Sequence, residues 1–271
     1  MHPIERLRYV ARSTGADQRV LVRETAGALA GLRIDPAGLV TACRRIVERH
    51  PSSGPLWWLC SHLLTAPEPF EQMWTLAEEI DCDPTPTGLV RDLPEEATVC
   101  VVGWPDLIGE ALVRRGDLAV LAVDSGGYGR GFANQLRRAD VDVEEVPAEG
   151  AGAAAVQADL VLVEAFAAGG GEALCSIGAR GVAAAAYCAE VPVWLVAGRA
   201  RRLPDPTWAA LGERLGHCGE PWELEVERVP LALMSHVCGA AGVHDLNAAT
   251  VEALMRPECP FAPELVKASP T

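Results

Sequence analysis

The stretch from residue 159 to residue 198 limits the possible folds of this chain more than any other, because it reads as strand, glycine loop, helix, strand. The short apolar runs 160–163 and 191–196 suit strands that are buried on both faces of a sheet. Between them lie the glycine loop 169–171 and the segment 176–189, which is rich in Ala, lacks Pro and suits a helix. At this length the pattern predicts one right-handed crossover unit of a parallel sheet.

Ligands bind to such sheets beyond the carboxyl ends of the strands, where backbone N–H groups at a helix start can face an anion. The segment 164–176 follows a predicted strand and leads into a predicted helix, so a binding site is expected there first. The chain has no G-x-x-x-x-G-K-[ST] motif here, and no G-x-G-x-x-G runs directly from a strand into a helix. Two interpretations of Gly170 and Gly171 stay open, a phosphate site and a flexible connection.

Before residue 83 the chain carries only helical signals. Apolar residues recur at helical spacing, and turns rich in Pro, Gly and Ser separate the segments, which are 3–11, 16–30, 36–49, 55–64 and 70–80. Asp35-Pro36 is typical of a helix start, with a capping residue followed by Pro at the first helical position. Residues 83–96 are rich in Pro and charge and are predicted to form a linker.

From residue 97 onward, short runs rich in Val and Leu alternate with helical stretches. The runs are 97–102, 118–123, 141–146, 160–163, 191–196 and 224–229, and the stretches between them are 105–115, 130–138, 150–157 and 176–189. Alternation of this kind predicts an α/β fold, with a Rossmann-like doubly wound parallel sheet after an N-terminal helical domain. The predicted domains are therefore 1–82 (helical), 83–96 (linker) and 97–271 (Rossmann-like and ligand-binding).

The part of the sequence after residue 230 is predicted to contain one more helix, over residues 246–255. The remaining Pro-rich end is expected to pack loosely or against a partner.

The formal net charge of −14 argues against several classes of partner. Nucleic acid is held by clustered Lys and Arg, and here only Arg199-Ala200-Arg201-Arg202 is locally basic. The same charge disfavours an anionic membrane surface. The longest apolar run is too short to cross a bilayer, and the N-terminus lacks the apolar core of a signal peptide. The sequence therefore predicts a soluble, cytoplasmic protein that binds neither nucleic acid nor membrane.

The nine cysteines are scattered, odd in number and never spaced as C-x-x-C, so reduced thiols are expected. The six histidines form no arrangement that resembles a metal motif. No metal and no cofactor are predicted.

Two cysteines are candidate nucleophiles. Cys100 lies near the end of the predicted strand 97–102, where the start of the next helix would lower the pKa of its thiol. Cys175 lies at the predicted start of the helix 176–189, where the helix dipole favours an anion. The alternative for each is a small apolar residue packed in the core.

Glu164 directly follows an apolar strand, and desolvation there would raise the pKa of its carboxyl and suit it to general acid–base catalysis. A salt bridge to a loop arginine, Arg180 or Arg199, explains the same position equally well.

The segment 124–130 closes the second predicted strand with another Gly-rich turn. Ser125, the backbone of Gly126 and Gly127, and the side chain of Arg130 could together hold a phosphate. The alternative is a helix start capped by Asp124, with an exposed arginine.

Ordered along the chain, several of these segments resemble one protein family. It unites the alpha, beta and delta regulatory subunits of eukaryotic initiation factor 2B with the isomerases of methylthioribose 1-phosphate and ribose 1,5-bisphosphate. The family pattern V-L-V-G-A-D, then N-G-x-x-x-N-K-I-G-T, an Ala-rich helix and V-P-x-x-V resembles VLVEAF (161–166), GGEALCSIGA (170–179) and VPVWLV (191–196) here. The family's E-S-R-P…E-G-R-x-L-A-x-E-L is similar to DSGGYGRGFANQL (124–136), and PSSGPLWWLCSHLL (51–64) resembles its helical domain. The resemblance covers most of the chain and implies the family's fold and a homodimer that packs through the sheet domain.

The departures from the family pattern bear on activity. In the isomerases a Cys and the Asp of G-A-D are the catalytic pair, and the N-K pair helps to hold the phosphosugar. Here Phe166 stands where that Asp belongs, Glu164 replaces the Gly, and Cys175-Ser176 replace Asn-Lys. The family's catalytic Cys aligns with Cys100, or, after a shift of a few residues, with Gly103-Trp104. Because an aromatic ring cannot transfer a proton, an aldose–ketose hydrogen shift looks impaired.

Two classes of function follow. The first is a divergent isomerase-like protein that binds a phosphorylated sugar or nucleotide; its candidate catalytic residues are Cys100, Glu164 and Cys175, and its candidate ligand-binding residues are Ser125, Gly126, Gly127, Arg130, Gly170, Gly171 and Ser176. The second is a non-catalytic relative of the regulatory subunits that binds a metabolite or a protein partner.

Overall fold

The computed structural model describes residues 17–31 and 36–267. The predicted helix over residues 3–11 and the predicted Asp35 cap lie outside the described residues.

The described residues alternate between helices and short strands. The helices are α1 (Gln18–Ala30), α2 (Pro36–Arg49), α3 (Gly54–Thr65), α4 (Pro69–Asp81), α5 (Thr85–Asp92), α6 (Asp106–Arg115), α7 (Gly129–Arg138), α8 (Ala151–Gln157), α9 (Ala179–Cys188), α10 (Asp205–Gly216), α11 (Val251–Leu254) and α12 (Pro263–Val266). The strands are β1 (Thr98–Val102), β2 (Ala119–Val123), β3 (Asp142–Val146), β4 (Leu160–Glu164), β5 (Ala167–Ala168), β6 (Glu172–Ser176), β7 (Val193–Val196), β8 (Val226–Pro230), β9 (His236–Gly239) and β10 (Gly242–Asp245).

These elements belong to two compact units, each assembled from separate stretches of the chain. The helical unit contains the described residues up to Asp83, Arg199–Gly219 and the described residues from Arg256 onward. The sheet unit contains Pro84–Gly198 and Glu220–Met255. This division differs from the predicted boundaries, because α10 and α12 pack with the helices of the first part of the chain rather than with the sheet.

The helices α1 to α4 follow the predicted segments to within two residues at each end. Ser53 caps the start of α3: its Oγ accepts a hydrogen bond of 3.4 Å from the backbone N–H of Leu56, and Pro55 fits the first turn. Trp57 on α3 is fully buried, and its indole N–H donates to the carbonyl of Pro51 at 2.9 Å. The guanidinium of Arg214 lies 4.7 Å from the centre of the same indole ring, a cation–π contact inside the helical unit.

The end of the described chain packs closely against the helical unit, so the expectation of loose packing was wrong for these residues. The carbonyl of Glu258 accepts hydrogen bonds from the indole N–H of Trp58 at 3.0 Å and from His62 at 3.2 Å. The Glu258 carboxylate forms an ion pair of 2.5 Å with Arg202. Further along, Cys259, Ala262 and Leu265 are buried. We refer to residues 256–267 as the C-terminal segment.

The main sheet has seven strands in the order β10-β9-β7-β4-β1-β2-β3, and all neighbouring pairs are parallel except β9 and β10. The chain runs outward from β1 to β3 on one side and then returns to β4 on the other side of β1. This is the doubly wound topology that the alternation predicted, and it places a switch point between β1 and β4.

Side chains of successive strand residues point to opposite faces of the sheet, and each face has its own apolar core. Val99 and Val101 of β1 belong to a core that also holds residues of α5, α6 and α7. Cys100 and Val102 belong to the other core, which holds residues of α8 and α9. Strands buried on both faces explain why the sequence shows continuous apolar runs rather than alternation.

Five predictions from the sequence are corrected by the strands and helices observed. Residues 172–176 form β6 instead of continuing a loop, and the following helix begins at Ala179 rather than at residue 176. The predicted strand 224–229 exists as β8, but it pairs antiparallel with β6 in a separate three-stranded sheet, in the order β5-β6-β8. The predicted linker contains α5, which packs in the core of the sheet unit, and the helix predicted over 246–255 is reduced to α11.

Both edges of the main sheet carry charged groups that disfavour pairing with another strand. At β10 the Asp92 carboxylate accepts a hydrogen bond of 3.1 Å from the backbone N–H of Val243. At β3 the side chains of Asp142, Glu144 and Glu145 are exposed.

Among the described helices, none is long and apolar enough to span a membrane.

Candidate functional site

The carboxyl ends of β1, β2, β4 and β6 bring the predicted site segments together. Gly103 follows β1 in the left-handed region, at φ 73°. A β-carbon at this position would lie 3.0 Å from the Ser176 Oγ and 3.4 Å from the Ser125 Cβ, so the three residues are in close contact. The Ser125 hydroxyl donates to the carbonyl of Ile177 at 2.7 Å. Two predicted ligand-binding residues, Ser125 and Ser176, therefore meet at the predicted edge of the sheet.

Glu164 lies at the switch point, at the end of β4, and caps α6. Its Oε2 accepts hydrogen bonds from the backbone N–H groups of Leu107 at 2.9 Å and Ile108 at 3.1 Å. These N–H groups are the ones that an anion would meet at the start of α6, since the first turn of a helix leaves them without backbone partners. The glutamate carboxylate thus occupies a helix start of the kind that can bind an anion in sheets of this topology, although the predicted phosphate sites were the 169–171 loop and the 124–130 turn.

Two further helices at the same edge of the sheet, α7 and α9, are capped in the same way. The Asp124 Oδ1 accepts from the backbone N–H of Gly129, the first residue of α7, at 2.6 Å. The Glu227 Oε1 accepts from the backbone N–H of Arg180, the second residue of α9, at 2.9 Å. Each of α6, α7 and α9 therefore begins against a carboxylate of this chain, which the partial positive charge at a helix N-terminus stabilises.

The turn after β2 has the form of a capped helix start. Gly126 and Gly127 have φ values of 63° and 84°, which glycine adopts without strain. The side chain of Arg130 is 80% exposed, and its Nε lies 3.8 Å from the carboxylate of Glu145 on β3. The alternative that the sequence left open for this segment, an Asp-capped helix with an exposed arginine, describes this geometry.

The predicted glycine loop is the turn of a β-hairpin and does not lead into a helix. It joins β5 to β6, and Gly170 and Gly171 are exposed. The backbone N–H of Gly169 donates to the carbonyl of Glu172 at 2.9 Å, and the carbonyl of Gly171 accepts from Leu231 at 3.0 Å. With β6 between this turn and α9, these glycines are not at a helix N-terminus.

Cys100 and Cys175 are both fully buried and belong to the same apolar core. Burial raises the pKa of Cys100 to about 12, opposite to the lowering expected from the sequence. Cys175 lies within β6, so its predicted place at the start of a helix was wrong.

The structure predicts that exposed and buried cysteines differ in their reactivity toward thiol reagents. A thiol reagent added to the native protein at pH 8 should modify Cys82, Cys188 and Cys218, which are exposed, while Cys100 and Cys175 react only after unfolding. Mass spectrometry of the labelled protein identifies the modified residues. Rapid labelling of Cys100 in the folded protein would contradict this assignment of burial.

A cavity of about 540 Å³ lies at the β9–β10 edge of the main sheet, and none of the predicted site residues line it. Its acidic side chains have partners within the chain: the Arg91 Nε lies 2.8 Å from the Asp92 carboxylate, and the His236 Nε2 lies 2.9 Å from the Asp245 carboxylate. In the part of the chain that the structure describes, no group of three or more His, Cys, Asp or Glu side chains is arranged to hold a metal ion.

The capping role of Glu227 was missed in the sequence. Glu227 lies in the predicted strand 224–229, but no local signal links it to the backbone N–H of Arg180, which is 47 positions earlier in the chain. Asp124 was considered as a cap because it lies only five residues before the N–H that it accepts.

The structural class of this chain is defined by a helical unit and a doubly wound seven-stranded sheet. A small antiparallel sheet lies at the carboxyl edge of the seven strands. The fold of the chain is that of the initiation factor 2B regulatory subunits. The structure of the translation initiation factor eIF-2B from Pyrococcus horikoshii OT3 superposes with a TM-score of 0.75 at 13% identity, covering 89% of this chain and 96% of that one. The tetrameric eIF2B-β2-δ2 complex from C. thermophilum gives a TM-score of 0.72 at 14% identity, covering 89% and 90%. The eIF2B delta subunit from Chaetomium thermophilum gives 0.69 at 17% identity, covering 88% and 95%.

The resemblance read from the ordered motifs is therefore confirmed as a likeness of fold. No protein-family model matches the chain, and no curated protein is significantly similar to it in sequence.

Proposed function

We propose that this chain is a non-catalytic relative of the initiation factor 2B regulatory subunits and that it acts by binding a protein partner. One observation carries the proposal: three helix starts at the carboxyl edge of the sheet, those of α6, α7 and α9, are capped by Glu164, Asp124 and Glu227. Because these are the places where sheets of this type hold phosphate, an incoming phosphate would meet a carboxylate instead of free N–H groups.

The electrostatic cost of adding a phosphate there is large. Two like unit charges 4 Å apart repel each other by about 4 kcal/mol near a protein surface. Three carboxylates line this edge, and the nearby candidate cation Arg130 is exposed and already near Glu145. A ligand of low charge or a protein surface that brings cations meets no such penalty.

The candidate catalytic groups also support a non-catalytic role. The thiols of Cys100 and Cys175 are buried in the core, and the Glu164 carboxylate is engaged by the backbone of α6. Phe166 stands where the resemblance places the catalytic Asp of the isomerases. An aldose–ketose isomerase needs groups that can take a proton from one carbon and return it to the next, and no pair of these residues is placed to do so.

The second candidate function is the binding of a phosphorylated sugar or nucleotide, with or without isomerase activity. The meeting of Ser125 and Ser176 beside Gly103 favours it, because hydroxyl groups can form hydrogen bonds to a polar ligand. In this alternative Gly126, Gly127, Arg130, Gly170 and Gly171 complete the site, and Cys100, Cys175 or Glu164 would carry catalysis.

A ligand panel distinguishes the two candidates. We expect no rise in the melting temperature when millimolar methylthioribose 1-phosphate, ribose 1,5-bisphosphate or AMP is added. A ligand at one hundred times its Kd would stabilise the protein by about 2.7 kcal/mol, a shift of several degrees. A concentration-dependent rise, or turnover that is lost in Glu164→Gln, Cys100→Ser or Cys175→Ser, would overturn the non-catalytic assignment.

The homodimer implied by the resemblance is part of the same proposal. One structural relative is described as a tetrameric complex of beta and delta subunits. Light scattering in the buffer of the ligand panel measures the mass of the protein in solution. A monomer mass at every concentration tested would contradict the homodimer.

A further inference from the structure

Three aromatic side chains are exposed at or close to the carboxyl edge of the main sheet. Trp222, in the loop between α10 and β8, is 77% exposed, Trp104 after β1 is 42% exposed, and Tyr128 before α7 is 38% exposed. Exposed apolar groups that lie together in a patch often mark an interaction site, and Trp and Tyr are residues that often contribute strongly at protein interfaces.

Trp104 and Tyr128 are connected through contacts around the start of α7, and Trp222 lies close to Glu225 along the chain. The Trp104 ring lies against Gly131, one helical turn after Tyr128, so both rings flank the start of α7. The Tyr128 hydroxyl lies 3.3 Å from the Glu225 Oε1. Trp222 is three residues from Glu225, so the chain holds it within about 10 Å of that residue.

The surroundings of these rings are acidic. Glu220, Glu223 and Glu225 are all exposed and lie within three residues of Trp222. The neighbouring cation Arg228 lies 3.3 Å from Glu172, so its charge is already balanced. The negative charge of Glu225 raises the pKa of Tyr128, in keeping with a negative potential at this surface.

We propose that Trp104, Tyr128, Trp222, Glu223 and Glu225, which we name the aromatic–acidic patch, form a docking surface for an arginine-rich segment of a partner protein. Guanidinium groups stack on Trp and Tyr faces and pair with carboxylates, so a single residue type satisfies both halves of the patch. The proposal rests on the protein-binding function above and specifies the chemistry of the partner.

The negative charge of the aromatic–acidic patch disfavours two other binding partners, a second copy of this chain and a phosphorylated ligand. A second copy of this chain would bring a net charge of −14 against an acidic surface, and like charges at an interface suppress association. A phosphorylated ligand would be repelled by the same carboxylates. A cationic segment instead gains from both the long-range attraction and the stacking contacts.

Fluorescein-labelled octa-arginine tests the patch, with binding to the full chain measured by anisotropy at 150 mM salt. Because any cation is attracted to a protein of this charge, the test depends on matched variants. Trp222→Ala and Glu223→Gln should each weaken binding by at least about fivefold. Trp74→Ala removes an indole that is 52% exposed in the helical unit, and Glu144→Gln removes an exposed carboxylate from β3; both should stay within about twofold of the original chain.

Three results would overturn the patch: no binding at about 100 μM peptide, equal loss in all four variants, or self-association of the original chain that Trp222→Ala abolishes. These readouts are separate from the ligand panel. If no ligand of the panel raises the melting temperature and all variants bind octa-arginine equally, the proposed docking surface is wrong and the non-catalytic assignment stands. A melting-temperature rise with a sugar phosphate removes that assignment, whatever the peptide does.

Discussion

Replacing Leu265 by alanine should lower the free energy of unfolding by about 3 kcal/mol, the typical loss for a buried Leu in a packed core. Leu265 is 1% exposed, and its segment is held on both sides by side chains of the helical unit. The Arg214 Nη2 donates to its carbonyl at 2.5 Å, and the Arg44 Nε donates to the carbonyl of Glu264 at 2.6 Å. The loss is measured by urea denaturation followed through tryptophan fluorescence.

Phe261 provides the matched control in the same segment. It is 40% exposed, so Phe261→Ala should cost no more than about 1 kcal/mol although it removes a larger side chain. If Leu265→Ala and Phe261→Ala were equally mild, the C-terminal segment would not be part of the packed helical unit.

Replacing Glu164 by alanine should have two measurable effects. Two backbone N–H groups of α6 lose their carboxylate acceptor, and the loss of this cap and its charge should cost about 2 kcal/mol of stability. The same change exposes the start of α6 to solvent anions. Inorganic phosphate at millimolar concentration should therefore raise the melting temperature of Glu164→Ala while leaving the original chain unchanged.

Two further variants separate charge from hydrogen bonding. Glu164→Gln keeps an oxygen acceptor without the negative charge, so it should be less destabilising than Glu164→Ala. Glu144→Ala makes the same charge change at an exposed position on β3 and should change neither stability nor the phosphate response. A phosphate response in Glu144→Ala, or none in Glu164→Ala, would show that Glu164 does not occupy an anion position.

The sequence predicted the parts of the fold that depend on neighbouring residues. The apolar runs that became β1, β2 and β4 were found because a strand buried on both faces needs an apolar residue at every position. β5 is two residues long, and β6 follows three glycines, so neither has enough length or periodicity to be distinguished from a loop. The sheet that they form with β8 is set by antiparallel pairing between residues 172–176 and 226–230, which no local pattern encodes.

The same distinction holds for the site. The sequence located the edge where Gly103, Ser125 and Ser176 meet, because strand order alone brings the carboxyl ends together. It could not assign Glu164 to the start of α6, since the residues are 57 positions apart in the sequence. Cys175 was misplaced for a related reason: the assignment of a helix start depended on reading 172–176 as loop.

The discontinuous helical unit has a consequence for how this protein is made. Its first helices are translated well before Glu258 and Leu265, which complete their packing; Trp58 and Glu258 are 200 positions apart. At elongation rates of about 5 to 20 residues per second, roughly 10 to 40 s separate the synthesis of these two residues. During that interval the surface around Trp58 is not covered by the C-terminal segment, so chaperones that recognise apolar nascent chain have time to bind there.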